Sequence, residues 1–213
     1  MERTKTIDNL KNIFIESYRW RNSDLSQVQS NKKFKLFSKL NIALFVVALT
    51  IVILSKNIGD FALNSILTFA SIFATLIIPV LIMVYDKFSN NPNSHLSEVQ
   101  QKSKGAKERT QLYKNFTSRF IFTALENVFI AVLIIVLIII YKAFLVQLFA
   151  LHPFDFKLQD EVDWEGIWLG FKISAITFSK AIFVLLFIKF ILFMMYSIGA
   201  LGDFFKDGLK HSG

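Results

Sequence analysis

The stretch "FIFTALENVFIAVLIIVLIIIY", residues 120–141, carries a single charge, Glu126. As a helix rising 1.5 Å per residue it extends about 33 Å, enough to cross the roughly 30 Å hydrocarbon layer of a bilayer. Three other stretches share its character. Leu40–Leu54 is uncharged, Phe61–Tyr85 is uncharged, and Ile167–Leu201 is broken only by Lys172, Lys180 and Lys189. Phe61–Tyr85 meets the spanning length outright, whereas the first stretch needs Leu36 or Phe37 to reach it. The fold expected is all-α, an integral membrane protein with four transmembrane helices and cytoplasmic helical extensions.

A chain of 213 residues that is 54% hydrophobic, with 24 Phe, would by composition alone also fit one globular domain. Uninterrupted apolar length decides against that. The first apolar run starts behind a polar leader, too late and too charged for a cleaved secretory signal, so the amino terminus is expected to be retained. There is no cysteine, which excludes disulfides, thiolate metal sites and cysteine nucleophiles.

Lys and Arg sort between alternate connecting segments. Residues 1–39 hold nine: Arg3, Lys5, Lys11, Arg19, Arg21, Lys32, Lys33, Lys35 and Lys39. Residues 86–119 hold seven: Lys87, Lys102, Lys104, Lys107, Arg109, Lys114 and Arg119. The two intervening loops hold one each, Lys56 and Lys157. By the positive-inside rule both termini and the long middle segment face the cytoplasm. The organisation that follows is a basic helical leader (1–36), transmembrane helices 1 and 2 (37–85), a basic cytoplasmic helical segment (86–119), transmembrane helices 3 and 4 (120–201) with an acidic outer loop (152–165), and a cytoplasmic tail (202–213). The net charge of +8 has a ready explanation in these flanks and in anionic lipid head groups, so direct nucleic-acid binding is not expected.

The cytoplasmic parts read as helical. Ile7, Leu10, Phe14 and Tyr18 fall on one face, with Thr6 as the expected N-cap, and this helix should lie on the membrane surface or against a neighbour. Ser23 can cap a second helix that continues into the first span, no Gly or Pro intervening. The run "SNNPNS", residues 89–94, is the clearest break, because Pro92 disfavours helix at Asn91. After it, Leu96, Val99, Ser103, Ala106, Thr110 and Tyr113 keep a weak heptad spacing in a helix expected over about 94–142. Gly105 is a weak point or hinge in that helix. Pro79 should kink the second span.

No grouping for catalysis occurs, and the chain is not expected to be an enzyme or to hold a cofactor or metal. His95, His152 and His211 are scattered, with no metal-ligand spacing, phosphate loop or nucleophile elbow. The carboxylates of the outer loop lack the spacing of a calcium loop.

Charges inside the spans carry more information. Glu126 and Lys189 each lie about seven residues from the cytoplasmic end of their helix, so antiparallel neighbours would set them at similar depth as an intramembrane pair. The other reading is that Lys189 snorkels to the head groups. Lys142 and Lys172 fall at the outer boundary and Lys180 between, all candidates for a pathway or outer interface. Three lysines in one helix favour burial of one face in an oligomer or along water. Gly166 and Gly170 form a G-x-x-x-G pattern, and Ala70 and Ala74 a small-x-x-x-small pattern, each allowing close helix approach. Trp164, Trp168 and Tyr141 fit an outer aromatic belt. A homo-oligomer such as a tetramer is expected, since closed symmetric rings are the common outcome for identical subunits.

The order of an amphipathic leader, two close spans and a charged heptad-like helix resembles the small membrane effectors of bacterial conflict systems, notably the SLATT type. The stretches that carry it are "ESYRWRNSDLSQVQSNKKFKLFSKLNIALFVVALTIVIL" and "SEVQQKSKGAKERTQLYKNF", within about the first 118 residues. Two further spans depart from the usual two-span form, and four-span membrane subunits of other antiphage systems are an equal comparison. The resemblance implies an oligomer in the bacterial inner membrane that, triggered by infection or a cytoplasmic partner, perturbs or monitors the membrane. The alternative is a scaffold that anchors a cytoplasmic protein through residues 1–39 and 86–119.

Overall fold

In a computed structural model, residues 2–22, 38–55, 58–89, 104–145, 151–155 and 164–210 are described. These residues are helical apart from short connections, with no strand among them. The helices are α1 (Glu2–Arg21), α2 (Lys39–Leu54), α3 (Asp60–Ser89), α4 (Lys104–Ile140, extended by a π turn over Tyr141–Leu145) and α5 (Trp164–Lys210), with a 3-10 turn at Pro153–Asp155. Three of them, α3, α4 and α5, are long and apolar enough to cross a membrane, over Asp60–Asp86, Thr110–Ala143 and Trp164–Gly199. The apolar helix α2 is shorter, 16 residues, or about 24 Å.

Local chemistry sets several helix ends, and some differ from the sequence reading. Helix α1 begins at Glu2, so Thr6 lies inside it and does not cap it. Residues 23–37 lie outside the described residues, but α2 does not run in unbroken from a preceding helix. Ser38 has an extended backbone, and its hydroxyl accepts the Asn41 N–H at 3.2 Å, a side-chain cap that starts the helix afresh at Lys39. Helix α3 ends at Ser89, where the "SNNPNS" break begins. Gly105 lies within the described part of α4, and the residues before Lys104 lie outside the described residues. Of the heptad positions, Leu96, Val99 and Ser103 lie outside the described residues, and Thr110 is exposed.

Burial is what helices facing lipid require. Of the apolar stretch of α4, 44% is buried, against 6% for α3 and 17% for α5, so α4 is the most enclosed helix. Large apolar side chains such as Phe61, Leu76, Ile82, Trp164 and Phe171 are exposed, a surface that a bilayer covers and water would not. Exposed hydroxyls on the same helices are turned inward: Thr50, Ser65, Ser71 and Ser179 each donate to the carbonyl four residues earlier, at 2.8–3.0 Å. That arrangement leaves no hydroxyl donor to be served by the surroundings.

The chain forms two compact units. The first comprises Met1–Phe34, Phe73–Phe129 and Leu192–Gly213; the second comprises Lys35–Ile72 and Ile130–Ile191. In the first, Val84 of α3 packs with Phe116 and Phe120 of α4, and Ile77, Val80 and Leu81 close around them. Pro79 lies in α3 among these residues in sequence and is itself exposed. In the second unit the core mixes large residues, among them Ile134, Ile138 and Phe190, with small ones. Ala48 of α2, Ala70 of α3, Ala131 of α4 and Ala181 of α5 are all fully buried, which lets backbones approach closely. Edge-to-face rings, Phe45 on Phe178 at 5.6 Å and Phe69 on Phe190 at 5.7 Å, fill the space between.

Candidate functional site

The first unit places a buried ion pair where an amino-terminal helix meets two apolar ones. On α1, Leu10, Phe14, Ser17 and Arg21 recur at helical spacing and share one face. Phe14 stands edge-on to Phe129 of α4, with centroids 5.2 Å apart. Ser17 is fully buried. Arg21, in the last turn, donates through Nη1 to Glu126 Oε2 and to Ser17 Oγ, the latter at 3.1 Å. Its Nη2 reaches Glu126 Oε1 at 3.5 Å. The guanidinium carbon also lies 3.9 Å from the ring centroid of Phe193 on α5. One side chain thus joins three helices through a two-pronged ion pair, a hydroxyl and an aromatic face. The pair is secluded, with side-chain exposures of 15% for Arg21 and 6% for Glu126. A cation at the carboxyl end of α1 is favoured by the helix dipole as well.

The same unit buries further polar side chains: Asn115, Thr117, Thr123, Asn127 and Ser197 are all buried. The hydroxyls of Thr117, Thr123 and Tyr196 are buried without a hydrogen-bond partner among the described residues, and ordered water is the usual partner for such groups. Arg119 lies over the ring of Tyr196 at 4.8 Å, a second guanidinium on an α5 aromatic.

Glu126 therefore answers to Arg21, a residue that the sequence reading counted only as part of a basic leader. Lys189, its expected partner, is half-buried on α5 in the second unit. Lys142 is exposed and donates to Asn64 Oδ1 of α3. Lys172 is exposed, 5.4 Å from the ring of Trp168, which is itself stacked on Phe171. Lys180 is buried, 5% exposed, and donates to the carbonyl of Leu151 at 3.2 Å. Nearby in sequence, buried His152 accepts the Phe154 N–H through Nδ1 at 3.2 Å. Gly166 and Gly170 are half-buried, as is Ala74, whereas Ala70 belongs to the alanine core.

Sequence reasoning missed Arg21 and the alanines Ala48, Ala131 and Ala181. Arg21 could have been found by extending the face through Leu10 and Phe14 at the same spacing. The alanines carry no local signal, because each comes from a different helix and no small-x-x-x-small pattern joins them.

Three helices of spanning length and apolarity make this an α-helical multi-pass membrane protein. No protein family, curated protein or solved structure matches the chain.

Proposed function

We propose that the protein is an oligomeric sensor or effector of the bacterial inner membrane that acts in antiphage defence without catalysis. In this reading α2 is the fourth span, both termini face the cytoplasm, and the assembly perturbs the membrane, conducts, or signals to a cytoplasmic partner. The observation that carries it is the secluded Arg21–Glu126 pair, in a unit that also buries several Asn and Thr side chains. An inert anchor has no use for a carboxylate and a row of buried Asn and Thr within an apolar helix, whereas ionisable groups in spans commonly serve a pathway or a switch. Because Arg21 belongs to the leader and Glu126 to a span, displacing α1 strands a charge in the span. The leader is thereby a natural input element, and the resemblance of the first 118 residues to SLATT-type effectors points the same way.

The test is membrane potential and phage survival in cells that carry the chain. Glu126→Gln, which frees the leader, should depolarise uninfected cells or abolish protection, and exchanging both charges (Arg21→Glu with Glu126→Arg) should restore much of the wild-type behaviour. Wild-type potential and protection in the single variant would contradict the proposal. Topology is tested by single cysteines at Gln101 and Gln159 with an impermeant thiol reagent on intact cells, where only position 159 should label.

A second reading, a scaffold for a cytoplasmic protein, draws on the start of α4. There Lys107, Glu108, Gln111, Leu112 and Lys114 are exposed, a charged surface with an apolar residue in its midst. A stoichiometric partner lost on Leu112→Glu, with membrane potential untouched by Glu126→Gln, would favour it.

A further inference from the structure

The second unit contains a cavity of about 290 Å3 whose walls include Ile58, Leu63, Ile138, Tyr141 and Phe183. Aliphatic and aromatic side chains make most of the wall. Lys180 also lines it but is engaged within the chain, with one hydrogen bond to the Leu151 carbonyl. The wall residues Ile140 and Ile182 are 42% and 38% exposed, so the cavity opens at the surface of the helices. The same unit exposes Phe61 and Phe178, large apolar side chains that a bilayer covers. Charged groups flank the cavity. Asp60, the first residue of α3, is exposed and stands in sequence between the wall residues Ile58 and Leu63. Lys142 is exposed and follows the wall residue Tyr141. The two are brought together across helices. Lys142 donates to Asn64 Oδ1, one turn along α3 from Asp60, and the Asp60 carboxylate acts electrostatically on the Tyr141 hydroxyl. Asn64 is a neutral acceptor, and an ammonium has two donors beyond the one it uses there.

We infer that this cavity holds one acyl chain of a bilayer phospholipid with an ethanolamine headgroup, its phosphate meeting Lys142 and its primary ammonium meeting Asp60. Charge complementarity selects the headgroup. An exposed cation and an exposed anion beside one cavity match a zwitterion, whereas an acidic lipid would set its net negative charge near Asp60. A primary ammonium donates charge-assisted hydrogen bonds to a carboxylate, and the quaternary ammonium of choline has no N–H to give. The apolar wall selects the chain. The volume is at the lower end of the roughly 300–1,000 Å3 usual for small-molecule sites. It accepts one chain and leaves the second among the bulk lipid. Every residue invoked belongs to the second unit, so the site is independent of the leader and of the defence reading.

The test uses the full chain in nanodiscs of phosphatidylethanolamine, phosphatidylcholine and phosphatidylglycerol in equal parts with matched acyl chains. Native mass spectrometry then counts the lipids that stay with the protein when the disc is stripped away. Wild type should retain one phosphatidylethanolamine per chain, about tenfold in preference to phosphatidylcholine, the difference that one charge-assisted hydrogen bond supplies. Asp60→Asn should remove that preference. Lys142→Ala should lower the retention of all three lipids, since each carries the phosphate. Both side chains are exposed, so neither change threatens folding. Ile182→Trp, which narrows the mouth and keeps both charges, should release the lipid. Free phosphoethanolamine, which has the headgroup and no chain, should fail to displace it. Equal retention of the three lipids by wild type, or a preference for phosphatidylglycerol, would overturn the inference. So would a preference that survives Asp60→Asn, retention unaltered by Lys142→Ala or by Ile182→Trp, or displacement by phosphoethanolamine.

Discussion

Arg21 in the first unit and Lys180 in the second are both cations withdrawn from water, and they are set in different surroundings. Arg21 meets a full negative charge, Glu126, together with the Ser17 hydroxyl and the Phe193 ring. Lys180 meets a backbone carbonyl and the wall of an apolar cavity. The difference follows from side-chain chemistry. A planar guanidinium presents a fork of donors that can engage a carboxylate, a hydroxyl and a ring at once, whereas an ammonium is a compact point charge on a flexible stem. A cation paired across helices in this way fixes structure and can act when the pair is broken.

The largest effect that would disturb this contrast is expected at Glu126. Glu126→Gln leaves Arg21 secluded without its counter-charge and should destabilise the first unit by about 3–5 kcal/mol, read as a shift in unfolding of the purified protein. Replacing both partners by apolar residues, Arg21→Met with Glu126→Leu, should cost far less, because neither charge then needs solvating. A next, smaller loss of about 3 kcal/mol is expected for Phe190→Ala, the low end for a buried aromatic. Phe190 is fully buried against Phe69, but in lipid the lost contact is packing and not exclusion of water. Widening one alanine contact, Ala131→Leu, should cost about 1–3 kcal/mol through overpacking and lower the melting temperature of the assembly. The smallest effect belongs to Lys142→Ala, within about 0.5 kcal/mol, since its bond to Asn64 is exposed.

The helices were legible because their cause is local. Apolar length in the sequence marks Phe61–Tyr85, residues 120–141 and Ile167–Leu201, which fall on the long apolar helices over Asp60–Asp86, Thr110–Ala143 and Trp164–Gly199, and a periodic face marks α1. The break expected beyond Ser89 lies outside the described residues. Partners were not legible. Arg21 and Glu126 are separated by 105 positions, and although helical spacing puts Arg21 on the face of Leu10 and Phe14, nothing local points it to Glu126. The sequence marked Glu126 as a charge in need of an answer, yet it offered Lys189 only on equal depth. The fresh start of α2 at Ser38 was obscured by an absence of Gly and Pro, although a serine hydroxyl suffices to begin a helix. The burial of Lys180 depends on the connecting segment at Leu151, whose course no periodicity reveals.

The claim on which the rest depends is that the amino-terminal helix is fastened to α4 through Arg21 and Glu126. A double-mutant cycle tests it most directly, with Arg21→Met, Glu126→Gln and the two combined, unfolding measured in the same detergent or nanodisc. The account predicts strong coupling, a double variant more stable than the sum of the single losses implies by about 1–3 kcal/mol. Additivity to within about 0.5 kcal/mol would mean that the two side chains do not act on one another, and would contradict it.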